Sequence, residues 1–268
     1  MARRAWLCLT LWIVGPSIAA AEPPTLADLA AGKLEVLDLG YPLNAQNAFW
    51  PADNYRPFAL DTIATLEKNG VLSKAFATPE HLGTHLDAPN HFVAGKPAVD
   101  RLPAASLFGP GVVIDVAGKA NADPDFLLTA EHVKLWEQQN GPVPEGAIVL
   151  LHTGWGRFWN HVERYQGRDA SGRLHFPGYG ADAAEYLVSE RKVRGLGIDT
   201  LSVDRGLSRE FEVHKVLGRA ERYGLENVAS LEKLPTRGFY VFVAPIKIET
   251  GSGGPTRIFA VLEEGDRN

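Results

Sequence analysis

Cysteine is almost absent from this chain: one residue in 268, at position 8. A lone thiol closes no intrachain disulfide and builds no sulfur-rich zinc knot, so any cation held by the chain must be held by imidazole and carboxylate groups. There is no charge run, internal repeat or low-complexity linker. The formal net charge of -5, from 27 basic and 32 acidic side chains, offers no attractive field to a phosphate backbone and argues against a nucleic-acid partner. Long apolar runs are lacking too. The most apolar stretch, Ala5 to Val14, is about half the roughly 20 residues that a membrane-spanning helix needs.

That stretch has a different reading. Arg3 and Arg4 precede it, and Ala19-Ala20-Ala21 follows just before Glu22, the order of a basic start, an apolar middle and a small-residue cleavage site. Residues 1–21 are therefore expected to be a secretory leader, leaving 22–268 as a single exported domain, periplasmic or secreted, with no membrane attachment and no thiol. A 268-residue chain with 45% hydrophobic and 22% charged residues is enough for one sizeable core.

β-Branched and aromatic runs bounded by glycine or proline predict strands at 34–39, 112–116, 147–152, 193–198 and 239–246. Helices are predicted over 129–139, with Thr129 as N-cap, over 181–190, and from about His214 toward Arg222. The stretch after Gly40-Tyr41-Pro42 reads as loop. Interleaved strands and helices predict an α/β or mixed single domain.

The densest chemical signal is Glu80 to Phe92, EHLGTHLDAPNHF, which carries three histidines and an aspartate within eleven positions. A bend brings His81 and His85 together, an extended 84–87 segment sets His85 and Asp87 on one face, and Gly83 permits the change between the two. Imidazole plus carboxylate suits zinc or manganese, and three protein ligands leave positions open for water or substrate. Pro89 then turns the chain and returns His91 toward the same place as a candidate acid/base, a role for which imidazole has the natural pKa.

The spacing His-x-Gly-Thr-His-x-Asp-x-Pro-x-His, filled by His81, Gly83, Thr84, His85, Asp87, Pro89 and His91, resembles the cyclase family that includes bacterial kynurenine formamidase and isatin hydrolase. Further blocks in the same order are Thr153-Gly154-Trp155, Gly197 to Thr200, Ser202-Val203-Asp204 and Gly251 to Ala260. The resemblance implies that His214 and Glu226 add to a metal centre of one or two zinc or manganese ions. It also implies a β-rich α/β domain of the swivelling β/β/α type, assembled as a homodimer or homotetramer. Trp50, Phe92 and Trp155, with Phe49, Phe158 and Trp159 nearby in sequence, are candidate walls for a small aromatic or cyclic amide. The expected activity is hydrolytic opening of an isatin-like lactam or related amide. N-Formylkynurenine hydrolysis is the alternative within the class, and a non-catalytic metal- or ligand-binding protein is the alternative outside it.

Overall fold

Strand-forming runs and aromatic-accepting glycines together set the centre of the molecule. The computed structural model describes residues 25–263, so the expected leader over 1–21, with Cys8, lies outside the described residues. From the N-terminus, α1 (Leu26–Ala30) leads into β1 (Leu34–Asp38), and a hairpin of β2 (Ala59–Ala64) and β3 (Ser73–Ala77) flanks α2 (Leu66–Asn69). β4 (His85–Asp87) and β5 (Phe108–Asp115) precede α3 (Ala117–Ala122), β6 (Leu127–Leu128), α4 (Ala130–Asn140) and β7 (Ile148–His152). Then come α5 (Val162–Gln166), β8 (Gly178–Tyr179), α6 (Ala181–Ser189), β9 (Gly195–Ile198), α7 (Glu212–Arg219), β10 (Tyr223–Glu226), β11 (Phe239–Pro245) and β12 (Gly253–Glu263).

Eight strands form one sheet in the order β1-β12-β11-β5-β7-β9-β10-β4, and β4 pairs again with β12, so the sheet closes on itself like a barrel. β12 makes closure possible because one of its edges serves two neighbours. Gly253–Pro255 pair with β4 and Phe259–Glu263 pair with β1, while β11 occupies the other edge. β5, β7, β9 and β10 run parallel. The inner face packs Val113, Ile148, Leu150, Leu225, Val241 and Ile258. On the outer face, Val112, Val149, Leu151 and Leu196 pack against α4, α6 and α7 through Val133, Ala184, Leu187, Val213 and Leu217. Burial on both faces explains the unbroken apolar runs of the parallel strands.

All five expected strands are present, and Thr129 caps α4: its hydroxyl accepts from His132 N, and His132 Nδ1 accepts from Thr129 N. Such a cap contributes about 1 kcal/mol. β5 starts earlier than expected, through Gly109-Pro110-Gly111, because these glycines admit neighbours and do not turn the chain. A Cβ at Gly111 would stand 2.1 Å from the Phe239 ring. The third helix spans Glu212–Arg219 and so begins before His214. The segment read as loop contains the β2–β3 hairpin, whose two strands are almost wholly exposed and so carry no one-sided apolar pattern. No helix among the described residues is long and apolar enough to cross a membrane.

Candidate metal centre

β4 is three residues long and carries the centre's first half. Gly83, in the left-handed region at φ 67°, turns the chain between His81 and the strand, with a Cβ there landing 2.7 Å from the Leu43 side chain. Alternation then sends Leu86 into the barrel core and sets His85 and Asp87 side by side on the other face. The pairing register places Glu226 opposite His85, so β10 delivers a second carboxylate by backbone hydrogen bonding alone. His214 arrives from α7, whose amino-terminal N–H groups at Val213 and His214 donate to the two oxygens of Asp204, at 3.1 and 3.2 Å.

Three of the imidazoles are anchored in one manner. His85 Nδ1 donates to the Gly83 carbonyl at 2.8 Å, and its buried Nε2 makes no hydrogen bond although it lies 3.3 Å from Asp87 Oδ1 and 3.3 Å from Glu226 Oε2. His214 Nδ1 donates to Asp204 Oδ2 at 2.7 Å, and its Nε2 lies 3.1 Å from Asp87 Oδ2 and 3.2 Å from Glu226 Oε1. His81 Nε2 meets Ser252 Oγ at 2.9 Å; because that hydroxyl donates to Glu80 Oε2, the serine oxygen accepts from the ring. His81 Nδ1 then faces Asp87 Oδ1 at 2.6 Å. In each ring an outer partner fixes one nitrogen and aims the other at Asp87, the arrangement by which metal-binding histidines are oriented. An orphaned, buried nitrogen between two carboxylates is what a divalent cation would satisfy, so the residues fit one. Ligand atoms of His85, Asp87 and Glu226, and separately of His81, Asp87 and His91, lie within 4.8 Å of one another, so Asp87 belongs to both groupings.

Electrostatics follow from burial and pairing. Burial disfavours a charged His85, but the adjacent Asp87 and Glu226 outweigh it and raise this imidazole to about 10. His214 is raised in the same way against its own burial by Asp204, Asp87 and Glu226. Asp87 is held well below the usual carboxylate range, its burial overcome by His85, His81 and His214. His91 goes the other way: burial pushes it down to about 4 despite the pull of Asp87. Its ring stacks on His81, with centroids 3.8 Å apart, and neither of its nitrogens is hydrogen-bonded among the described residues. At neutral pH it is a neutral ring free to accept a proton.

A cavity of about 120 Å³ adjoins these groups, lined also by Trp50, Tyr55, Phe92, Leu201, Phe211 and Asn227. Trp50 and Phe92, named from the sequence as candidate walls, line this cavity. Trp155 does not line it: it is buried behind the wall, in a cluster with Trp159, Tyr165 and Phe176 that meets the cavity through Leu201 and Trp50, its indole N–H donating to the Tyr165 carbonyl at 2.8 Å. The reason is local. Its backbone N–H is drawn to Asp199 at 3.0 Å, which turns the ring inward, and Trp159 is occupied by stacking on Tyr41. Tyr55, Phe211, Asn227, Glu80, Ser252 and Asp204 were not singled out by sequence. Glu80 carried a signal as the first residue of the histidine-rich segment, and Ser252 and Asp204 as members of ordered blocks.

The Cyclase family model matches residues 37–205, which include the whole His81–His91 segment. An isatin hydrolase of Roseibium aggregatum is 38% identical over 191 residues, covering 68% of this chain and 72% of that enzyme. A kynurenine formamidase of Bacillus cereus is 30% identical over 230 residues, covering 83% and 95%. Among solved structures, an isatin hydrolase bound to the product analogue thioisatinate superposes with a TM-score of 0.84 at 31% identity, over 89% of this chain and 96% of that one. With the motif, the barrel-like sheet and the centre agreeing, the chain belongs to the cyclase family of metal-dependent hydrolases.

Proposed function

We propose that the chain opens the C–N bond of a small aromatic or cyclic amide, an isatin-like lactam being the favoured class. His81, His85, Asp87, His214 and Glu226 would hold one or two zinc or manganese ions. The observation that carries this reading is the unbonded, buried Nε2 of His85 between two carboxylates, with an unbonded neutral imidazole, His91, beside it under an aromatic roof. When bound, such a cation supplies positive charge that polarises a carbonyl and acidifies water.

The chain's own groups then have separable tasks. Trp50 and Phe92 orient the ring of the substrate over the centre. His91 takes a proton from the attacking water as oxygen bonds to the carbonyl carbon, and returns it to the nitrogen as the C–N bond breaks. The products are a carboxylate and an amine, retained in one molecule when the substrate is a lactam.

The Bacillus cereus relative supports N-formylkynurenine as a second substrate to test. The leader-like order of residues 1–21 supports an exported, periplasmic enzyme and weights the choice toward an environmental lactam over an intermediate of cytosolic amino-acid breakdown. The family resemblance supports a homodimer or homotetramer. Purified protein, stripped and then reloaded with zinc or manganese, should hydrolyse isatin faster than N-formylkynurenine and lose activity when stripped. A folded protein that retains neither ion, or that turns over neither compound when loaded, sinks the reading in favour of a binding protein.

A further inference from the structure

Phe211 carries the observation that the proposed reaction leaves unused. Its backbone lies in the left-handed region at φ 50°, ψ 52°, where a bulky L-residue is an outlier. Among the described residues it is the only aromatic one with positive φ; the other non-glycine cases are Lys192, Glu221, Asn227, Ser230 and Thr250. Such a conformation persists only where the surroundings over-determine it, and it is concentrated at ligand sites.

The surroundings do over-determine it. Phe211 is the N-cap of α7, a position normally given to serine, threonine, aspartate or asparagine. Here that work is done from elsewhere: Asp204 accepts from Val213 N and His214 N, and Ser208 Oγ accepts from Phe211 N at 3.1 Å. Position 211 is thereby released from capping. The left-handed turn aims its ring into the cavity, edge-on to Trp50 at 5.6 Å between centroids and tilted against Phe92 at 5.0 Å. Helix start, strain and ring position make little sense as core packing, because the ring is only half-buried.

We infer that Phe211 is the specificity-determining residue of this site, held in a strained backbone so that its ring selects planar aromatic substrates over aliphatic amides of similar size. The inference rests on the amide-hydrolase reading for its substrate, but not for its binding. Three variants separate ring selection from structural support. Phe211→Gly and Phe211→Ala both delete the ring, but only glycine relieves the left-handed backbone, whereas Phe211→Tyr keeps the ring. In metal-loaded protein, F211G should melt about 2–4 °C above F211A. Calorimetry should show thioisatinate binding weakened about tenfold in both deletions and within about threefold of wild type in F211Y. The ratio of kcat/KM for isatin to that for succinimide should fall about tenfold in both deletions, chiefly through KM for isatin.

A residue that merely supports the fold would make binding follow stability, so F211G binding appreciably better than F211A overturns the inference. So does thioisatinate affinity unchanged in both, or an F211G protein that fails to fold. If wild type hydrolyses neither amide yet the deletions lose thioisatinate in parallel, the inference stands for binding and the hydrolase reading fails.

Discussion

Replacing Asp204 by asparagine tests how the centre is aimed. Asp204 Oδ2 accepts from His214 Nδ1 at 2.7 Å, and the same carboxylate receives the amino-terminal N–H groups of α7. Asparagine keeps the size but offers one acceptor oxygen where Asp204 uses two, and it removes the anion beside the charged His214, so the apo protein should lose some stability as well. What it loses is the anionic acceptor that holds the hydrogen on Nδ1 and leaves Nε2 facing Asp87 and Glu226. A charge-assisted hydrogen bond contributes about 1.5–3 kcal/mol against about 0.5–1.5 for a neutral one, a difference of roughly 1–2 kcal/mol, or about 5–30-fold in Kd. Losses of about 10–100-fold on removing outer partners of metal-bound histidines overlap that range. Zinc or manganese affinity is measured by chelator competition, beside the melting temperature of the apo form. An unchanged Kd with a lowered apo Tm would refute the reasoning, because Asp204 would then be a helix cap and nothing more.

Three further outcomes follow from the same geometry. His91→Ala should keep the cation and lose about 10²–10⁴-fold in kcat, whereas His85→Ala and Asp87→Ala should lose both cation and turnover; cation loss in His91→Ala would instead make His91 a ligand with His81 and Asp87. Ser252→Ala removes the hydroxyl between Glu80 and His81 and should weaken cation affinity about tenfold without unfolding the barrel, read by the same competition assay. In the apo protein, Asp87 stabilises the fold above its ordinary value of 3.8, and this contribution is lost as pH falls through its depressed folded value. His85, raised from 6.5 to about 10, contributes stability that is complete below 6.5 and is lost as pH rises toward 10. A bound cation requires these rings deprotonated, so the Tm gap between loaded and apo protein should widen from pH 6.5 to 10, and a constant gap would contradict the assignment.

The sequence made one half of the centre legible because His81 to His91 lie on a single loop and strand, where spacing and geometry are nearly the same thing. His214 and Glu226 could be named only through the family resemblance. One histidine on a helix and one glutamate ending a strand have no periodicity that tells a ligand from a solvated residue, and the register joining Glu226 to His85 is a long-range property. Barrel closure was hidden for a related reason. Gly251 to Ala260 stands out in the sequence only as a family block, whereas in the fold a Cβ at Gly253 would stand 2.3 Å from the Leu86 carbonyl and 2.6 Å from the His81 ring, so glycine there marks a close approach of β4. Closeness in sequence misled in one case: Trp155 follows a strand of the same sheet, but its buried hydrogen bonds take it into the core, while Phe211, remote in sequence from every other aromatic candidate, supplies one of the walls.

Barrel closure is what assembles the candidate cation site. β4 is too short to be held by one neighbour, and it persists because β10 takes one edge and β12 the other. Those two pairings supply different parts of the site: β10 brings Glu226 opposite His85, and β12 brings Ser252 to His81 while its glycine clears space for that ring. Leu86, between the two ligands, is fully buried in the barrel core, so any shift of β4 that moved the ligands would also pull Leu86 from its packing. Burying Asp87 and Glu226 within one small volume is costly unless the charges are compensated. His85 and His214, both raised by these carboxylates, compensate them in the apo protein, a charge that a bound dication would supply in their place. The seam of the barrel therefore carries both the candidate ligands and the packing that fixes them, which is the condition for a centre rigid enough to orient water and substrate.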